Sequence, residues 1–308
     1  MKKVISLILT LLLVVSSLLF SISVSAASKS AETDSVYAVS VDSPLWKEAD
    51  SAEELRELAY VPESALCGKS TEELLKAVLE YPLIFDIYAY NDYETAINRL
   101  SVHCTALNLF LNRRDAKETI NSFMQRNNAV ESINAPECIK DTASATLEIL
   151  NDYINSCSVT DSRATIYVQT PNGSNVQVFQ YTELSQSEIN RLNALARATY
   201  PQAQYVSTAT QKYNCHSFAW YKSNTSNTYW MNDPSLYMSD GSYTSTSYIS
   251  SASKVHYPSD KHSANVYDAT GNSISNALVK SKWGAGPLMI HKVHYCPYSG
   301  GVTLWHRS

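Results

Sequence analysis

The chain has 308 residues, of which 17% are charged, and its formal net charge at pH 7 is −5. No cluster of lysine and arginine offers a surface that could follow a phosphate backbone, which argues against a nucleic-acid partner. The length leaves room for two domains. The 21 tyrosines supply apolar area with a polar tip, which suits a carbohydrate or peptide groove and equally an ordinary β-rich core.

The first 26 residues have the pattern of a secretory signal peptide. Lys2 and Lys3 precede an apolar run from residue 4 to 24, and a small-residue cleavage site ends at Ala26. A retained membrane anchor is the alternative, because the run is nearly long enough to span a bilayer. We expect a secreted, extracellular or cell-wall-associated protein without membrane contact after cleavage.

Helical signals dominate residues 46–157, which follow a serine- and alanine-rich segment at 27–45 that we interpret as a linker. Ser70 and Glu73 fit a capping box, and the helix that they begin should stop before Pro82. The predicted helices are Ser51 to Leu58, Ser70 to Leu79, Asp92 to Arg113, Ala116 to Asn127 and Asp141 to Asn155. This module contains no evident acid–base pair, so we interpret it as a packing, docking or substrate-presenting unit.

The longest predicted helix carries an apolar stripe in which Ile97, Leu100, Cys104 and Leu107 recur every three or four residues. Cys104 is therefore expected in a packed face. Six cysteines are present, at 67, 104, 138, 157, 215 and 296. Export permits disulfides, and the four in the helical half are compatible with two bridges or with four buried thiols.

The residue period changes from helical to alternating near Ala164, which places a domain boundary at about residues 156–163 and a second domain at 158–308. Pro171-Asn172-Gly173 lies between two alternating runs and predicts a β-hairpin. Ser185 and Glu188 then fit the capping box of another helix.

Cys215 stands where a loop becomes an apolar helix, in the string Asn214-Cys215-His216-Ser217-Phe218-Ala219-Trp220. A helix dipole and a nearby imidazole can lower the pKa of a thiol, so Cys215 is a candidate nucleophile. His262 opens a predicted strand and is the candidate base. Asn214 and Ser217 flank the thiol as candidate oxyanion or positioning residues. A buried core thiol is the alternative interpretation of Cys215.

The segment from Ser223 to Ser259 is polar, long for a plain connection and rich in aromatic residues. It can wall a substrate cleft or form a mobile surface insertion. Trp230, Tyr237 and Trp283 are the candidate substrate-binding residues. His216 and His256 are expected to be ordinary surface residues. Further strands are predicted at residues 262–267, 277–283, 288–294 and 302–306, which gives a helix packed on an antiparallel sheet.

The order of a helix-borne cysteine, a strand-borne histidine and a further polar strand resembles the NlpC-like and CHAP-type papain-like cysteine peptidases, which are secreted amidases of bacterial cell walls. The resemblance covers residues 200–308. The string around Cys215, with Ser281-Lys282-Trp283-Gly284, is also similar to a group of secreted Firmicutes proteins.

This resemblance implies an α+β protein with an N-terminal helical module followed by a papain-like, NlpC-type domain. It implies a secreted cysteine amidohydrolase or endopeptidase that needs no cofactor and acts on peptidoglycan peptides or another cell-surface amide. Ser281, on the strand after that of His262, is the third catalytic candidate by position, and His291 is the alternative by chemistry. A non-catalytic surface-binding protein with the same fold is the competing hypothesis, and the oligomeric state is left open.

A structural zinc site is the chemical rival near the C-terminus, where His291, His294, Cys296 and His306 are all possible ligands. The spacing of three between His291 and His294 puts them on opposite faces of a regular strand. We therefore expect no metal there.

Overall fold

The computed structural model describes residues 35–126, 129–155 and 166–308. The predicted signal peptide and the predicted domain boundary lie outside these residues. The described α-helices are α1 (Pro44–Glu48), α2 (Ala52–Leu58), α3 (Glu63–Leu66), α4 (Thr71–Leu79), α5 (Asp86–Ala89), α6 (Tyr93–His103), α7 (Thr105–Leu111), α8 (Ala116–Gln125), α9 (Glu137–Asn155), α10 (Gln186–Thr199) and α11 (Ser235–Ser239). The strands are β1 (Ile166–Gln169), β2 (Asn175–Val178), β3 (Gln204–Ser207), β4 (Tyr243–Thr246), β5 (Lys254–Tyr257), β6 (His262–Asp268), β7 (Leu278–Lys282), β8 (Leu288–Lys292) and β9 (Thr303–Arg307).

Side-chain caps begin the helices where the sequence predicts them. Ser70 and Glu73 form the capping box of α4, and Ser185 and Glu188 form that of α10. Each box satisfies main-chain N–H groups that the first turn of a helix leaves without an intrahelical acceptor.

The predicted helix from Asp92 to Arg113 is wrong in one respect, because it is broken at Cys104. The backbone of Cys104 is extended, with φ −99° and ψ 95°, and joins α6 to α7. In the second of these helices Phe110 is buried, while Leu111 is only partly covered. Cys104 itself is buried, as the stripe predicts.

The larger sheet has the strand order β3-β8-β7-β6-β5-β9-β4, and every pairing in it is antiparallel. The predicted hairpin is confirmed as β1 paired with β2, and Gly173 takes the positive φ of 89° that its turn requires. The α+β class with antiparallel sheets is thus confirmed. A short helix that starts at Cys215 and continues as a π-helix over Ser217–Tyr221, here called the cysteine helix, packs against β6 and β7.

Helices and sheet share one hydrophobic core, and Ser35–Ser308 forms one compact unit. Phe85 of the helical half packs on Trp283 with ring centroids 5.8 Å apart, and the Trp46 indole donates to the Thr199 carbonyl at 3.1 Å. The packing favours an arrangement in which the helices complete the core beneath the sheet. A division of labour between residues 46–157 and 158–308 stays a prediction.

The end of the predicted linker belongs to this core. Val41 is buried, the Tyr37 hydroxyl donates to the Ala77 carbonyl, and α1 begins at Pro44. The apolar side chains explain the difference from the expectation, since each removes area from water by packing. Within the described ranges, none of the helices has the length and apolar character that crossing a bilayer would require.

Candidate functional site

Asn214 fixes the start of the cysteine helix. Its Oδ1 accepts from the main-chain N–H groups of Ser217 and Met231, at 3.1 Å each, and its Nδ2 donates to the Met231 carbonyl at 2.7 Å. The side chain is fully buried, so these bonds hold it in one orientation. Its second amide proton is directed at Asn91 Oδ1, 2.9 Å away.

Cys215 follows Asn214 in the chain and is 1% exposed. Its hydrogen-bond acceptors are Asn91 Oδ1 at 3.6 Å and the Lys261 carbonyl at 3.9 Å. Burial raises the pKa of Cys215 to about 11, against the smaller opposing effect of the Ser263 N–H. The expected lowering of the thiol pKa is therefore not found in this conformation, because desolvation outweighs the donors around the sulfur.

His262 begins β6, between Lys261 and Ser263, the two residues whose main chain approaches the Cys215 sulfur. Its ring stacks on Tyr298 with centroids 3.6 Å apart. Neither ring nitrogen has a hydrogen-bond partner among the described residues, and burial lowers the pKa of His262 well below its ordinary value. The main chain on either side of His262 thus approaches the Cys215 thiol, but no hydrogen bond joins the imidazole to the thiol.

Ser281 and His291 bind each other rather than His262. Ser281 Oγ lies 2.8 Å from His291 Nε2, which also accepts from the Trp283 indole at 3.3 Å. His291 Nδ1 lies 2.8 Å from the Lys292 carbonyl and must carry the proton, since a carbonyl only accepts. Burial lowers the pKa of His291 to about 4. In this conformation neither third-member candidate orients His262.

Ser217 is engaged away from the thiol as well. Its hydroxyl lies 2.9 Å from Nδ2 and 3.2 Å from Oδ1 of Asn227, and all of these groups are buried. Of the two predicted oxyanion candidates, the structure thus brings Asn214, and not the Ser217 hydroxyl, to the group that touches the sulfur.

His216 is buried rather than exposed as the sequence suggests, whereas His256 is half-buried. Both Nδ1 atoms contact Ser263 Oγ, at 2.9 and 3.1 Å, and the Trp220 indole donates to the same oxygen at 2.8 Å. A hydroxyl has one proton, so one imidazole accepts from Ser263 and the other donates to it. Burial, with a smaller effect of His256, lowers the pKa of His216 to about 3.

Two clefts meet at Asn91, the residue whose side chain contacts the Cys215 thiol. The polar cleft has a volume of about 440 Å³ and is lined in part by Asn91, Asp92, His216, Asp233, His256 and Lys261. The aromatic cleft has a volume of about 590 Å³ and is lined in part by Tyr88, Tyr90, Tyr93, Tyr181 and Trp230, again with Asn91 and Asp92. Residues of the segment from Ser223 to Ser259 line both clefts.

The three predicted substrate-binding residues have different environments. Trp230 lines the aromatic cleft, where its ring meets Tyr181 edge-on. Tyr237 is buried against Trp220, and Trp283 is fully buried between Phe85 and Tyr200. Tyr237 and Trp283 are core residues in this conformation, because aromatic packing removes their faces from solvent.

The residues proposed as zinc ligands contact different groups and not one another. The Cys296 thiol donates to the Val293 carbonyl, His306 Nδ1 lies against the Arg307 carbonyl, and His294 is exposed. Within the described ranges, no three His, Cys, Asp or Glu side chains are grouped closely enough to hold a metal ion. The cysteines among the described residues are free thiols, and Cys157 lies outside them.

Asn91 is the residue of the site that the sequence does not reveal. It lies in the bend before α6, 124 residues from Cys215, in a segment interpreted as a separate packing module. Its neighbours Tyr90 and Asp92 give no motif, so only the fold brings it to the thiol.

Comparisons with protein-family models, curated proteins and solved structures found no match to this chain.

Proposed function

We propose that the chain is a secreted cysteine amidohydrolase or endopeptidase in which Cys215 is the nucleophile and His262 is the general base. The residues that carry the resemblance to papain-like enzymes support this proposal. So does the position of the thiol at the start of a helix that packs on the strand of His262.

The observation that carries the proposal concerns buried His262, whose two ring nitrogens have no hydrogen-bond partner in the part of the chain that the structure describes. Leaving a buried polar group unsatisfied costs about 1 to 3 kcal/mol, and such groups recur where function needs them. Burial and then the charge of a Cys215 thiolate raise the pKa of Tyr298, on which His262 stacks, so thiol, phenol and imidazole belong to one electrostatic neighbourhood. We propose the Cys215 thiol as the partner of one of these nitrogens in the reactive conformation.

The proposed reaction begins when His262 takes the proton of the Cys215 thiol. The sulfur adds to the carbonyl carbon of an amide, and the imidazolium returns its proton to the nitrogen as the C–N bond breaks. Water then hydrolyses the thioester and restores the thiol. By the resemblance, the substrate is a peptidoglycan peptide or another cell-surface amide.

A second candidate is a non-catalytic surface-binding protein, which two observations favour. The thiol pKa is raised, and no thiol–imidazole hydrogen bond is formed. The clefts beside Cys215 would then serve recognition alone.

Hydrolysis by the full chain separates the two candidates. Purified peptidoglycan incubated with the chain is expected to release peptide fragments detectable by mass spectrometry. Cys215→Ala and His262→Ala should each reduce the release by at least about 10³-fold, as removal of a catalytic group does. His294→Ala, which changes an exposed histidine, is the control and should match the parent. Release that survives Cys215→Ala would contradict the proposed cell-wall hydrolase. So would the absence of release by the parent chain.

A further inference from the structure

The carboxamide group of the Asn91 side chain makes three polar contacts with its surroundings. Its Oδ1 accepts from Asn214 Nδ2 at 2.9 Å and lies 3.6 Å from the Cys215 sulfur. Its Nδ2 donates to the Lys261 carbonyl at 3.0 Å. Every hydrogen-bonding direction of these partners matches an amide, with a donor for its oxygen and an acceptor for its nitrogen.

The partners of this carboxamide are held rigidly. The buried Asn214 amide is fixed by three further hydrogen bonds to the main chain. Lys261 is a non-glycine residue in the left-handed region, with φ 47°, which costs free energy that the surrounding structure must supply. A fixed donor beside a sulfur atom is the arrangement that stabilises charge on the oxygen of an attacked amide.

Asn91 also stands on the ridge between the two clefts, because Asn91 and Asp92 line both of them. Asp92 holds this ridge in place. Its carboxylate caps α6 through the Thr95 N–H at 2.7 Å and lies 3.6 Å from Lys261 Nζ. Asn91 and Asp92 thus separate the polar cleft from the aromatic cleft, and Asn91 covers the Cys215 sulfur.

From these contacts we propose that the pocket above Cys215 is a carboxamide-binding site and that Asn91 is its built-in occupant. The ligand class is an amide with a carbonyl oxygen directed at Asn214 Nδ2 and an N–H directed at the Lys261 carbonyl. This inference rests on the proposed function, whose substrate class it narrows. It also explains why the thiol of the resting chain is covered, since the occupant excludes a substrate amide until residues 90–92 move.

A purely structural Asn91 would tie α6 to the sheet without selecting any ligand. The two roles differ in what happens when the side chain is removed. If Asn91 fills a carboxamide site, its removal should expose the sulfur and let small amides bind in its place. If Asn91 is only a structural tie, its removal should have neither effect.

The test uses the full chain and follows alkylation of Cys215 by iodoacetamide, with peptide mapping, at one fixed pH. Asn91→Ala is expected to alkylate about tenfold faster than the parent, the factor that corresponds to losing a contact worth 1.4 kcal/mol. The control Asn190→Ala changes an exposed asparagine of α10 that lines neither cleft, and it should match the parent. Thermal melting confirms that each variant is folded, and Asn91→Ser replaces Asn91→Ala if the latter is not.

Ligand selectivity is read from protection of the Asn91→Ala chain. Acetamide should slow its alkylation, and acetone, which has the same size and carbonyl group but no N–H, should not. Absence of acceleration would overturn the occupant role, and equal effects of acetamide and acetone would overturn carboxamide recognition. These rates report access and binding only, so a positive result with no hydrolysis of any substrate would keep the site and refute the hydrolase.

Discussion

Lys282→Met is expected to lower the free energy of unfolding by about 1 to 3 kcal/mol, the cost typical of leaving a buried acceptor without its donor. Lys282 is fully buried on β7. Its Nζ donates to the carbonyls of Thr210, Gly284 and Gly286 at 2.8, 2.6 and 2.5 Å. The three acceptors match the three protons of an ammonium group, although burial lowers the pKa of Lys282 to about 7.

The carbonyl groups decide the sign of this effect. Replacing both partners of a buried ion pair by apolar groups can be neutral, but main-chain carbonyls cannot be replaced and would face a methionine without donors. The lysine also ties Thr210, in the segment that leads to Cys215, to the turn after β7.

Urea unfolding at about pH 10 measures the loss, because the folded chain then keeps this amine neutral and the cost of burying its charge is nearly removed. Lys280→Met, on the same strand but only partly buried, is the control and should change stability by no more than about 0.5 kcal/mol. Equal unfolding midpoints for the two variants would show that the three carbonyl contacts do not stabilise the fold.

Asp86→Asn is expected to raise the free energy of unfolding by up to about 4 kcal/mol at about pH 8 and to leave it unchanged near pH 4. Asp86 is buried in α5, and the Tyr200 hydroxyl donates to it at 2.8 Å. Burial raises the pKa of Asp86 from 3.8 to about 7, although Arg56 and Tyr200 oppose the effect.

The sign follows from proton binding. Between about pH 4 and 7 the folded chain keeps a proton on Asp86 that the unfolded chain has released. Stability is therefore lost as pH rises through this window. An asparagine resembles the neutral acid, still accepts from Tyr200 and does not ionise.

Urea titrations of parent and variant across this window give the difference directly. The buried histidines, such as His216 and His291, titrate with the opposite sign but contribute equally to both chains. Asp268→Asn is the control. Hydrogen bonds from Thr270 hold the pKa of that exposed carboxyl below its ordinary value, so this variant should not gain stability as pH rises. If Asp86→Asn gained no stability over the parent at about pH 8, burial would not be controlling this carboxyl group.

Local signals in the sequence predict much of the fold. The capping boxes before α4 and α10 and the turn at Gly173 are each specified by residues within a few positions of one another. The break at Cys104 could not be predicted in this way. The apolar period continues through it, and the extended backbone there results from packing against distant residues.

The candidate site also combines features that the local sequence predicts with features that only the fold determines. The helix start at Cys215 and the strand start at His262 are local features, and both are found where the sequence places them. Asn91 and the pairing of Ser281 with His291 depend on contacts between segments, which spacing does not specify. The raised pKa of Cys215 has the same origin, since burial is decided by the whole fold.

The pH dependence of alkylation shows whether His262 becomes the base of Cys215. The rate for Cys215 is measured by peptide mapping from about pH 5 to 9 in the Asn91→Ala chain, with and without His262→Ala, over the range in which a histidine titrates. If His262 is the base, we expect a reactive shoulder below about pH 7 that disappears with His262→Ala, because a thiolate paired with an imidazolium reacts where a free thiol does not. Profiles that coincide, both rising only as an ordinary thiol ionises, would contradict it.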